Sequence, residues 1–244
     1  MKEKNSLEEH ESKKNTKRLF QSTNAIQYLK ELSIVIIGVL VTLTITNAIG
    51  NYNRQQEIRG MMSFIKAELE ENLENLDWME SRWEGEQRIF DAVMKNRDDI
   101  HRIPVDTLSK YSYAIGALYG LSIQSDSYDL LKNSMLMQYV KDKNLLRRLS
   151  RTYNELGALD RQLSSYSQHK TKVFLNPMAE EMKPGESAIW IDPDPYRIFT
   201  YSLKQEGFHK FLYSGKTVLS PITIFQDNRE YLLEMIRQLD KAGY

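Results

Sequence analysis

The residues of this chain that could do chemistry are histidines, carboxylates and arginines, because there is no cysteine among its 244 residues. That removes disulfides, thiol nucleophiles and thiolate metal sites. The four histidines, His10, His101, His169 and His209, stand far apart, and none opens an H-x-x-x-H pair. No D-x-D-x-D-G loop occurs either, so neither a zinc nor a calcium pattern is present. Asp192 and Asp194 place two carboxylates close together, but Pro193 and Pro195 make that stretch a rigid turn rather than a metal loop. There is no G-x-S-x-G elbow, P-loop or Rossmann glycine pattern. Gly185-Glu186-Ser187 and Ser214-Gly215-Lys216 read as ordinary loops. The sequence thus nominates no catalytic residue, no cofactor and no metal ligand. Two features remain as candidate interaction sites. Arg147, Arg148 and Arg151 form a basic cluster that could meet an anion or a partner, or be the wet face of a helix. Trp190, beside the Asp-Pro-Asp-Pro turn, could anchor an interface or pack the loop onto the fold.

The element that must position everything else runs from Leu32 to Asn53, 22 residues without a charge. A bilayer core needs about 20 mostly apolar residues in helical form. Residues 31–53 are therefore expected to be a transmembrane helix, and the bilayer a partner. The competing readings are a buried core helix and a cleaved signal peptide with Ala48-Ile49-Gly50 at its cleavage site. The run is long for both, and the leader before it is long for a signal peptide. Gly38, Thr42 and Thr46 fall four apart and line one face with small side chains, a membrane packing face on which two helices approach closely. Residues 1–30 are polar and charged, expected to be a disordered or loosely helical leader. Seven basic residues precede Asn53, whereas Arg54, Arg59 and Lys66 alone occupy the next 20 positions. This bias predicts a cytoplasmic N-terminus and, in a Gram-negative inner membrane, a periplasmic domain over 54–244. That domain holds 26 basic and 28 acidic residues, which is no footprint for nucleic acid.

Glu31-Leu32-Ser33-Ile34-Val35-Ile36-Ile37-Gly38-Val39-Leu40-Val41, with Leu43, Ile45 and Asn47, resembles the anchor of an uncharacterised family of single-pass bacterial membrane proteins. That anchor reads as Glu, an aliphatic run, Ile-Gly-Ile-Leu and then Ile-Asn-Asn-Trp-Asn. Glu31, Gly38, Leu40, Leu43, Ile45 and Asn47 fall on matching positions, while Ala48 and Ile49 stand where the family has Trp-Asn. Tyr52 could take the interfacial aromatic's place. A second block, Tyr128 to Ser134 followed by Val140 to Leu145, Leu149 and Tyr153, is similar to the family's mid-chain turn and helix. Asn133-Ser134-Met135 departs from its glycine turn. The resemblance implies one span and a helical soluble domain, and no activity.

Beyond the span, Met62, Leu69, Leu76, Trp83 and Phe90 recur every seven residues, with Ile58, Ile65, Leu73, Met79 and Val93 beside them. This heptad seam is that of a coiled coil, along a helix of about 60 Å from Arg54 to Asn96 at 1.5 Å per residue. Pro104 opens a second helix expected to reach Gly120, and Ser125-Asp126-Ser127 caps a short third one. Leu145, Leu149, Tyr153, Leu156, Leu159, Leu163, Tyr166 and Phe174 form a second long seam over 142–176. Lys183-Pro184-Gly185 ends it, and helices are expected over 198–212 and from 220 to 241. The fold class is all-α: one N-terminal transmembrane helix, then an elongated helical bundle built on two long antiparallel helices. The functional expectation is a non-enzymatic, membrane-anchored scaffold or interaction protein, as a homo-oligomer or with a membrane-protein partner. The alternatives are a periplasmic sensor or small-ligand module acting through a partner subunit, and an enzyme without a recognisable signature.

Overall fold

The heptad seam closes over a real interior. In the computed structural model, which describes residues 2–181, 194–218 and 223–244, Met62, Leu69 and Leu76 have no exposed surface, and Trp83 and Phe90 are buried. Every residue of the second seam, from Leu145 to Phe174, is buried as well. The described residues are all helical or irregular, with no strand. The elements are α1 (Lys2–Lys95), α2 (Val105–Lys110), α3 (Asp126–Asn133), α4 (Lys143–Lys170), α5 (Asn176–Glu180), α6 (Pro195–Lys204), α7 (Glu206–Val218) and α8 (Thr223–Lys241).

The chain divides into two compact units, Met1–Glu57 and Ile58–Tyr244. The described residues of the first belong to α1, whose apolar stretch is long and apolar enough to cross a membrane and is not buried against the rest of the chain. Ile34, Val35, Ile37, Leu40 and Leu43 all point outward, which for a helix this apolar fits a lipid surrounding rather than water. Neither Gly50 nor Gly60 interrupts α1.

The second unit is a packed helical bundle, but its long helices run in a different sense from the one expected. On α4 the Tyr153 hydroxyl donates to Glu68 on α1 at 3.1 Å, and Lys170 donates to Glu86 at 2.7 Å. Both numbers rise together, so α1 and α4 are parallel, and the expectation of an antiparallel pair is corrected. The physical reason lies in the connection. Short loops force neighbours antiparallel, whereas a long crossover lets the chain return before starting the next helix. Residues 96–142 are that crossover: Tyr113 bonds the Arg82 carbonyl at 3.1 Å, Gln124 exchanges two 2.8 Å bonds with Asn72, and Ser127 donates to Glu68. The antiparallel partner is α8. It pairs Lys66 with Asp240 and Arg229 with Asp77 along α1, and Arg148 with Glu234 and Arg151 with Tyr231 along α4.

Two further helices differ from expectation. The one expected over 105–120 ends at Lys110, passes through a 3-10 turn at Ser112–Ala114 and continues without helix to Ser125. Tertiary contacts override its periodicity, because the carbonyls a helix would satisfy internally are taken by side chains of α4. The helix expected over 198–212 is two, α6 and α7, with an extended break at Gln205. Asp194 is the N-cap of α6, accepting from the Tyr196 amide at 3.0 Å with Pro195 in the first turn. Asp142 caps α4 likewise, accepting from Asn144 and Leu145. Below Lys170 the helix widens into a π turn, Thr171–Leu175, before α5. Gly207 lies against that turn, where a side chain would run into the Val173 carbonyl.

Candidate functional site

The polar heart of the bundle is built where two apolar seams each contain one charged residue. On α1 the register Ile58, Ile65, Asn72, Met79, Glu86, Val93 carries Glu86 into the core; on α4 and the π turn after it, the stripe Leu163, Tyr166, Phe174 carries Lys170. Neither side chain has any exposed surface. A lone buried charge is prohibitively costly, so each must find partners. The Lys170 ammonium donates to Glu86 Oε2 at 2.7 Å and to the carbonyls of Ala114 and Ala117 at 2.5 and 2.9 Å, which uses all three of its protons. Glu86 Oε2 also accepts from the Tyr119 hydroxyl at 2.9 Å, and Oε1 from the Tyr166 hydroxyl at 2.5 Å. Rings of Phe90, Phe211 and Tyr119 surround the ammonium at 5.5 to 6.0 Å from their centroids.

Burial pulls the Lys170 pKa down from its ordinary value, and the Glu86 carboxylate beside it pulls the other way. Burial first, then the Glu86 charge, push the phenols of Tyr119 and Tyr166 well above the usual tyrosine range. The arrangement is saturated: the ammonium has no free proton and the carboxylate is covered on both oxygens. Chemically it is a staple rather than an acid or base poised for a substrate. It ties α1 to α4 and fixes the irregular crossover between them. Two more α4 side chains on the same face complete the hold. Ser167 Oγ accepts from the Tyr119 amide at 2.6 Å and donates to its carbonyl at 2.9 Å, and Asp160 accepts from the Leu121 amide at 2.7 Å.

Beside the staple lies a partly open cavity of about 350 Å³ between α1 and α7. Gln87, Phe90 and Asp91 form one wall, His209 and Tyr213 belong to the other, and Tyr166 connects the cavity to Glu86. Gln87 donates to the Tyr166 hydroxyl at 3.2 Å. Volume and lining suit a small, mostly apolar molecule with one or two polar groups.

The residues singled out from sequence are not gathered into this site. Gly38, Thr42 and Thr46 lie on the apolar stretch, where the Thr42 hydroxyl donates back to the Gly38 carbonyl at 2.8 Å. Arg147 is exposed, Arg148 lies 3.8 Å from Glu234, and Arg151 donates to the Tyr231 hydroxyl at 2.9 Å with Glu155 at 3.7 Å. Arg148 and Arg151 thus face α8. Trp190 and Asp192 lie outside the described residues. The histidines divide: His169 meets Ser214 at 2.6 Å, His101 lies against Tyr196 with the rings tilted and centroids 4.4 Å apart, and His209 meets the Leu203 carbonyl at 2.7 Å. No group of three or more His, Asp or Glu side chains able to hold a metal occurs among the described residues. Glu86 and Lys170 went unnoticed in the sequence, although each interrupts an apolar register with a charge, opposite in sign to the other.

In comparisons with known proteins, the chain matches no family model, no curated protein and no solved structure.

Proposed function

We propose that this chain is a non-enzymatic interaction or scaffold protein of the bacterial envelope, anchored by residues 31–53 with its N-terminus in the cytoplasm and its bundle in the periplasm. The observation that carries this reading is a contrast of surfaces. The apolar stretch of α1 turns its side chains outward, while the buried ionisable groups of the bundle are closed on one another. An anchor of that kind holds a folded body at a membrane, and a staple of that kind holds the body in shape. The sequence bias of basic residues before the span supports the orientation, and the anchor's resemblance to single-pass bacterial proteins supports the setting. The Gly38, Thr42 and Thr46 face suits association within the membrane. In-cell crosslinking of tagged full-length protein, followed by mass spectrometry, tests the reading: a defined membrane complex or a second copy is expected, and capture of neither overturns it.

The cavity at Tyr166 favours a second reading, a small-ligand module that passes its occupancy to a partner subunit. A ligand that raises the melting temperature of the full chain in detergent, and loses that effect in Gln87→Ala, would promote it over the first.

A further inference from the structure

We propose that the turn Met135–Tyr139, with Leu130 beside it, is a second lipid contact of this chain, seating one end of the bundle on the membrane interface. The proposal rests on the anchored reading above. None of the five residues of this 3-10 turn is buried. Met135 is 81% exposed and Leu130 60%, Tyr139 is exposed too, and Leu136 and Met137 are only partly covered. Contiguous apolar exposure of this kind marks a contact surface. The turn is not loose: Lys143 donates to the carbonyls of Met137 and Gln138 at 3.3 and 2.8 Å, holding it on the first turn of α4.

Three lysines around it offer contacts to anionic headgroups. Lys132 and Lys141 are exposed on either side, and Lys143 lies at its base. Asp142, which caps α4, Asp129, which accepts from the Ser125 hydroxyl at 3.2 Å, and the exposed Asp126 balance them in number, so the lysines act as individual headgroup contacts rather than through a net charge. Aliphatic and aromatic residues flanked by lysines are the composition of an interfacial seat.

Position along the bundle identifies the occupant. Tyr153 is level with Glu68, and α1 and α4 run parallel. Stepping back from Tyr153 to Lys143 therefore moves about 15 Å toward Ile58, where this unit begins. The pairing of Asp240 with Lys66 brings the end of α8 to the same region. Ile58 follows Asn53, the last uncharged residue of the span, by five positions, and five residues of chain reach at most about 18 Å. The lysine-flanked apolar turn is thus at the tethered end of the bundle.

The chain's lack of cysteine makes the test direct. Met135→Cys, and Asp98→Cys at the turn after α1, each give one site for a polarity-sensitive fluorophore. The labelled full chain is reconstituted in vesicles of phosphatidylcholine and phosphatidylglycerol, with brominated lipid or aqueous iodide as quencher, and flotation reports anchoring. The expected result is a blue-shifted label at 135, quenched by brominated lipid, and a label at 98 quenched by iodide. Combining Lys132→Glu with Lys141→Glu is expected to reduce the lipid quenching at 135. Floating protein whose label at 135 is as open to iodide as that at 98 overturns the lipid contact and leaves the anchor standing. Protection at 135 that vanishes when chains are diluted singly into vesicles assigns the turn to a second copy, and also overturns it. A chain that does not float overturns the anchored reading and this proposal together.

Discussion

Within ten residues, α1 meets two cations through acidic side chains, in opposite surroundings. At the surface, Arg229 of α8 reaches Asp77 through Nε and Nη2 at 2.8 and 2.5 Å and also bonds Glu80. In the interior, Lys170 of α4 meets Glu86 with no solvent access to either. The Arg229 side chain keeps 31% of its surface and Asp77 keeps 53%, so water and salt compete for that pair, while Glu80 keeps only 10%. The interior pair has no such competitor, and each charge there depends on the other. Similar contacts therefore carry very different consequences when one partner is removed, and burial sets the difference.

The largest effect is expected from Lys170→Met, which strands the Glu86 carboxylate and two backbone carbonyls in the core. A loss of about 3–5 kcal/mol of stability is expected, read by denaturant unfolding of the full chain in detergent. Adding Glu86→Gln to Lys170→Met is expected to recover part of that loss, because the stranded charge is gone. Losses that simply add would show that the two residues do not act as a pair.

Alkaline pH should separate the clusters next. Tyr119, Tyr153 and Tyr166 have pKa values raised mainly by burial and then by the adjoining Glu86 or Glu68 charge. Above about pH 10 the unfolded chain releases these phenolic protons and the folded chain keeps them. Stability therefore falls as pH rises, by about 1.4 kcal/mol per pH unit for each tyrosine. The lowered Lys170 pKa acts in the opposite sense, adding stability as pH approaches its unfolded value near 10.5 from below. Three tyrosines outweigh one lysine, so the net slope is downward. Tyr166→Phe is expected to flatten it, whereas Arg229→Met is expected to leave it unchanged.

The smallest effect is expected from Arg229→Met itself, about 1–3 kcal/mol, because it leaves the nearly buried Glu80 carboxylate without its cation while Asp77 stays in water; the Asp77 share of it shrinks as salt is added. A salt-insensitive loss as large as that of Lys170→Met would break the comparison.

The elements and their buried faces were largely legible. The Met62–Phe90 and Leu145–Phe174 seams are both interior, because period alone determines which side of a helix can leave water. Less legible was the crossover. Leu108, Tyr111, Ile115 and Leu118 keep helical spacing, yet Ala114 and Ala117 give their carbonyls to Lys170 rather than to a helix ladder. Period cannot reveal a donor supplied from more than fifty residues away. Asn72 and Glu86, two polar residues on an otherwise apolar register, were the available signal for the interior site.

By itself, then, the sequence determined an uncharged run able to span a bilayer, the all-helical class and the identity of the two long seams. These follow from composition and from a 3.6-residue period, both local properties of the chain. Only the tertiary structure decided that α1 and α4 run parallel with α8 set against them. It alone decided that Glu86 meets Lys170, and that Arg148 and Arg151 turn toward α8. Direction depends on where a long crossover delivers the chain, and pairing depends on which faces then meet across it. Neither is encoded in the spacing of residues along a single helix.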